Sequence, residues 1–174
     1  RVETATGRPP FYAYYKNGIT FLVLDTQDSV SSITSAQLSL LSNIKDTIQS
    51  SSHLILLHHK LIWMHGNPNL EPLIDSISNG PLGDCDWCIN PNNFYDDVYP
   101  MLLEIKQNGI DVLCLAGDIG GKVSEFQHLT EDGIFLLASG IKAGDTGNKG
   151  LLFTHNIRAK TLGWKYHLLN HFLD

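Results

Sequence analysis

Three short apolar runs constrain this chain most: Ile19 to Leu24 (ITFLVL), His53 to Leu57 (HLILL) and Asp111 to Ala116 (DVLCLA). Each is short for a stable helix and apolar on successive residues, which predicts strands covered on both faces. Helical periodicity lies between them. Leu38, Leu41, Ile44 and Ile48 recur at helical intervals and predict a helix from about Ser35 to Ser50. Thr34-Ser35-Ala36-Gln37 has the spacing of a capping box, with Thr34 as N-cap and Gln37 reaching back. Tyr95 to Asn108 predicts a second helix, with Val98, Met101, Leu102 and Ile105 on one side. There Asp96 and Asp97 suit the N-terminal dipole, Pro100 falls near the first turn and Gly109 ends the element. Strands alternating with helices are the pattern of an α/β fold.

Upstream, Phe11 to Lys16 and Ile19 to Leu24 are β-prone runs joined by Asn17-Gly18, a strong hairpin signal. Downstream, Gly133 to Ser139, Gly150 to Thr154 and Leu162 to Leu168 predict a β-rich final third, so the sheet should be mixed. Lys60 to Phe94 shows no periodicity and is broken by Gly66, Pro68, Pro72, Asn79-Gly80-Pro81, Gly83 and Pro91. A structureless stretch of that length usually has a function. The 174 residues suit a single domain or part of a larger one. A net charge of −6 argues against a nucleic-acid partner, whose phosphates need a basic surface. No apolar run reaches the roughly 18 residues of a membrane span. The chain starts at Arg1 without methionine, which suits an exported mature protein or a proteolytic fragment and leaves the compartment open.

Eight histidines against 12 Lys and Arg are the main compositional signal, because imidazole ligates metals and titrates near neutrality. Most scattered histidines serve packing or the surface. Functional groups of open α/β sheets, however, gather at the C-terminal ends of strands. Three predicted strands end in metal-capable groups: Leu24-Asp25-Thr26, Leu57-His58-His59 and Gly117-Asp118. Packing does not explain two adjacent imidazoles at a strand end, since neighbours face opposite sides. Asp25 and Asp118 have turn or cap chemistry as the alternative. Cys85-Asp86-Trp87-Cys88 is a C-x-x-C inside the long loop. It is open between a redox centre, zinc ligation with a histidine, a loop-tightening disulfide and free thiols, with the last two favoured. With Cys114, the cysteines are too few for a disulfide scaffold. Ala116 to Val123 fails as a P-loop at both ends. The aromatics Trp63, Trp87, Phe94, Tyr95 and Tyr99 are expected to pin the long loop rather than line a substrate pocket.

The order of Ile19 to Thr26, then Ile33 to Leu38 with its helix, then Leu54 to His59, resembles the calcineurin-like metallophosphoesterases. In that family a strand ending in Leu-Asp precedes a helix opened by Gln-Leu and a strand ending in His-His-Pro. Asn108 to Gly117 is similar to the strand before the family's Gly-His-x-His motif, and Ser139-Gly140 suits the end of the fold. The resemblance spans roughly residues 11 to 156. It implies mixed β-sheets flanked by helices in a four-layer sandwich, with two divalent metals (Mn, Fe or Zn) clamping a phosphate ester. His58 then matches a metal ligand and Asp118 a second, hard-cation ligand, with His59 as the catalytic or phosphate-contacting neighbour. Gly-His-x-His reads Gly117-Asp118-Ile119-Gly120, Lys60 stands at the proline, and Asp-x-His and Gly-Asn-His are absent from the chain. The resemblance therefore implies the C-terminal half of a phosphoric-ester hydrolase, completed by an N-terminal half or a partner chain of the same fold. The alternative is a phosphoesterase-like domain that works without metals as a binding or structural module. A third possibility is an isolated zinc site of Cys85, Cys88 and a histidine.

Overall fold

The computed structural model describes Gly7, residues 9–26 and residues 31–172, with side chains described through residue 170. Strands β1 (Tyr12–Lys16) and β2 (Ile19–Val23) form the expected antiparallel hairpin. Asn17 and Gly18 both adopt left-handed backbone, φ 51° and 85°, which matches the right-handed twist of the flanking strands. Helix α1 (Ser35–Thr47), β3 (His53–His58), one-turn α2 (Ile74–Ile77), α3 (Tyr99–Gln107) and β4 (Asp111–Ala116) follow. The chain then continues through β5 (Glu125–Leu129), β6 (Phe135–Ser139), β7 (Lys149–Asn156) and β8 (Thr161–Leu168).

Six strands form one mixed sheet in the order β1-β2-β3-β4-β6-β5. Its four inner strands are parallel, and β1 and β5 close the two edges antiparallel. Among the described residues, strands β7 and β8 pair only with each other. The register aligns Leu22 with Leu56, Cys114 and Leu136 on one face, and Phe21 with Ile55, Leu113 and Phe135 on the other. The first face packs on Leu41 and Ile44 of α1, Leu102 and Ile105 of α3, and Trp63 and Phe94 of the long connection. The second packs on Leu151 and Phe153 of β7 and Leu162 and Trp164 of β8. These three layers explain why β2, β3 and β4 are apolar on both faces.

Several local expectations need correction. Helix α1 ends at Thr47, three residues early, and Thr34 makes no side-chain cap bond. Gln37 is buried and bonds to β2 instead, so tertiary contact overrides the capping box. The second helix opens as a π-helical turn over Phe94–Val98 and is α-helical from Tyr99, with Pro100 in its first turn and Gly109 (φ 83°) beyond its end. Strand β5 was not foreseen; its glutamate, glutamine and histidine disguise an edge strand with only Phe126 and His128 half-buried. Strand β6 starts at Phe135 because Gly133 (φ 74°) closes a turn onto Thr130. The stretch from Lys60 to Phe94 is ordered without being periodic. A 3₁₀ turn (Glu71–Leu73) leads into α2, an isolated bridge joins Leu82 to Ile89, and a disulfide joins Cys85 to Cys88. Trp63 and Phe94 pin it to the core, helped by the Tyr95 hydroxyl donating to the Trp63 carbonyl at 2.8 Å. Trp87 does not join them and is 69% exposed.

Candidate functional site

Because β2, β3 and β4 are parallel neighbours, Asp25-Thr26, His58-His59 and Gly117-Asp118 reach the same, C-terminal end of the strands. Backbone and side-chain bonds tie the three ends together. Buried Thr26 accepts the N–H groups of His59 (3.1 Å) and Lys60 (3.0 Å) at its hydroxyl, which fixes the turn out of β3. The Gly117 N–H donates to the His59 carbonyl at 3.1 Å. Gln37 clasps Asp25 at both backbone groups, accepting its N–H (2.7 Å) and donating to its carbonyl (3.1 Å).

His58 is 8% exposed, and its Nδ1 lies 2.7 Å from the Lys60 carbonyl. A carbonyl only accepts, so Nδ1 carries the proton and Nε2 carries a lone pair. That Nε2 is buried and has no hydrogen-bond partner among the described residues. Burial lowers the His58 pKa to about 4 against the opposing effect of the Lys60 bond, so the ring is neutral. A neutral imidazole anchored by one nitrogen on a carbonyl, with the other unpartnered, fits a metal ligand.

His59 turns outward. Its side chain is 53% exposed, and its Nε2 lies 3.7 Å from Oδ1 of the less exposed Asp118. Asp118 has φ 56°, a left-handed backbone that non-glycine residues hold only with local support. Asn79 gives that support: its N–H donates to the Asp118 carbonyl (2.8 Å) and its Nδ2 to Asp118 Oδ1 (3.1 Å). Asn79 Oδ1 also accepts the Gly121 N–H at 2.6 Å.

The predicted site residues are thus brought together in part. His59 and Asp118 form a pair, but no hydrogen bond or ion pair joins His58 to Asp118 among the described residues. No group of three or more His, Cys, Asp and Glu among the described residues is placed to hold a metal ion. Gly120 leaves no room for a side chain: an added Cβ would lie 2.3 Å from the Ile141 carbonyl oxygen. Oxidised Cys85 and Cys88 offer no thiolate, which removes the cysteine zinc site. Thr26, Gln37 and Asn79 escaped the sequence reading as positioning residues. Their only sequence signals were a strand end, a helix start and a turn-forming Asn-Gly-Pro run.

No family model matches the chain, and neither a curated protein nor a solved structure matches it. The fold is that of an α/β protein with a mixed six-stranded sheet. Among the described residues no helix is long and apolar enough to cross a membrane.

Proposed function

We propose that the chain forms the C-terminal part of a metal-dependent phosphoric-ester hydrolase of the calcineurin-like kind. The observation that carries this reading is the buried, unpartnered Nε2 of His58 at a strand end beside the His59–Asp118 pair. His58 would bind a metal through Nε2, and Asp118 would offer a carboxylate oxygen to a hard cation. His59, the most exposed of the three, would contact the phosphoryl group and orient Asp118. Bound Mn, Fe or Zn would supply Lewis-acid polarisation of the ester and an activated hydroxide. These residues fall short of the four ligands that zinc usually takes. The rest, from Asp-x-His and Gly-Asn-His segments, would come from an N-terminal half or a partner chain of the same fold. That half would also widen the β7–β8 sheet and add the outer helices of a four-layer sandwich. The Cys85–Cys88 disulfide supports an oxidising compartment, which favours an exported protein over a cytosolic fragment.

A second reading, a phosphoesterase-like module without metals, draws on Gly120 and on the missing third ligand. Metal analysis and hydrolysis of p-nitrophenyl phosphate mono- and diesters, with the chain completed by its other half, separate the two. The hydrolase reading expects bound Mn, Fe or Zn and a fall in kcat/KM of at least about 100-fold in His58→Ala, as expected when a catalytic metal loses a ligand. Absence of metal and turnover in the completed protein would select the module.

A further inference from the structure

We propose that the Cys85–Cys88 disulfide is a redox-sensitive latch that holds Asp118 in position through Asn79. Its consequence for metal binding rests on the hydrolase reading above; the coupling itself rests on contacts within the chain. Asn79 holds Asp118 at its carbonyl and at Oδ1, and holds the following loop through the Gly121 N–H. The next residue, Gly80, lies directly against the disulfide loop: an added Cβ would sit 1.8 Å from the Trp87 carbonyl oxygen and 3.2 Å from the Cys88 Cα. From there the two arms of the loop are zipped. Ile89 N–H donates to the Pro81 carbonyl (2.9 Å), Gly83 N–H to the Ile89 carbonyl (3.1 Å) and Asn90 Nδ2 to the Gly83 carbonyl (2.8 Å). The tip beyond the zipper is closed by the disulfide and by the Cys88 N–H donating to the Cys85 carbonyl at 3.0 Å, with two long contacts at 3.5 Å, Asn90 Nδ2 to the Cys85 carbonyl and the Ser31 hydroxyl to the Cys88 carbonyl. Cutting the disulfide therefore loosens the surface on which Gly80 rests, and Asn79 moves with Gly80.

The tip is also reachable. Asp84, Asp86 and Trp87 are exposed and Cys85 is half-buried, while Cys88 is buried. A dithiol reductant would attack Cys85 Sγ through its thiolate, forming a mixed disulfide and releasing Cys88 as a thiolate that takes up a proton. Its second thiol then closes the reductant's own disulfide and frees the Cys85 thiol. Two electrons and two protons pass to the protein, and the dithiol is oxidised. The bridge closes only a short loop, so its loss leaves the sheet folded.

Heteronuclear NMR of the whole chain before and after dithiothreitol tests the latch. Reduction should shift the amide resonances of Asn79, Asp118 and Gly121 and speed their exchange at least tenfold, while Leu56 and Leu113 in the central strands stay unchanged. Cys85→Ala/Cys88→Ala should reproduce the reduced spectrum and ignore the reductant, and Gly80→Ala should displace the same three amides with the disulfide intact. Unchanged Asn79, Asp118 and Gly121 amides on reduction would overturn the latch. Mn titration of both redox forms, with the chain completed by its other half, reports separately, with at least fivefold weaker binding expected after reduction. Equal Mn affinity in the two forms would overturn the functional consequence. Binding in neither form would count against the metal reading alone, because the amide shifts judge the coupling without metal.

Discussion

His58 and His59 are adjacent in sequence and opposite in environment. One ring is buried, neutral and anchored on a carbonyl, and the other faces solvent beside Asp118. Burial also lowers the pKa of His53, which is buried at the start of β3 with Nδ1 2.8 Å from the Ser52 hydroxyl. In the unfolded chain these rings titrate near 6.5. The unfolded state therefore takes up protons first as pH falls, and the metal-free protein loses stability below about 6.5. His58 contributes until its folded-state value of about 4 is reached. Its share is roughly 3 kcal/mol across that window. Denaturant midpoints at pH 7 and pH 4.5 should converge markedly in His58→Gln, and an unaltered pH dependence in that variant would refute the assignment. Cysteine chemistry is equally specific: Cys114 is buried, and burial pushes its thiol pKa up. Native protein should show no thiol reactive toward Ellman's reagent at neutral pH. Denaturation should expose one thiol, and denaturation with prior reduction three.

At the scale of elements, α1 shows where sequence spacing misleads. Thr34 and Gln37 have capping-box spacing, yet the glutamine bridges to the end of β2. Thr34→Ala should then change stability by less than about 0.5 kcal/mol, where a true capping threonine costs about 1 kcal/mol. Gln37→Met should cost roughly 1 to 3 kcal/mol, because the bonded Asp25 backbone groups lose their partner. Chemical denaturation of the two variants decides between the readings. Strands β2, β3 and β4 and both long helices were legible because apolar runs and 3.6-residue periodicity report burial directly. Strand β5 was not, because an edge strand with one face in water carries too few apolar residues to be seen. The long connection was illegible for another reason: asparagine side chains and a disulfide hold it, and neither leaves a periodic trace.

At the scale of the molecule, the second sheet is a two-stranded hairpin among the described residues, and it covers Ile55, Leu113 and Leu137. Trp164 anchors it, stacking edge-on against Phe135 at 4.6 Å and donating from Nε1 to Gln127 at 3.0 Å. Trp164→Ala should lower stability by about 2 kcal/mol, less than for a wholly buried tryptophan because the ring is half-buried. A thermal unfolding scan with a fluorescent apolar-surface probe checks both the loss and the uncovering of the sheet. A midpoint equal to that of the parent would show that the hairpin does not hold this face.

The sequence alone determined the α/β class, the hairpin at Asn17-Gly18 and the three strand ends that carry polar groups, because local pattern and turn chemistry are properties of neighbouring residues. Tertiary structure decided what those groups do. It buried one nitrogen of His58 without a partner, set Asp118 on Asn79, turned Gln37 toward Asp25 and closed Cys85 onto Cys88. The contacts of Gln37 with Asp25 and of Asn79 with Asp118 join different elements of the chain, and spacing within one element cannot encode which other element's backbone a side chain will meet.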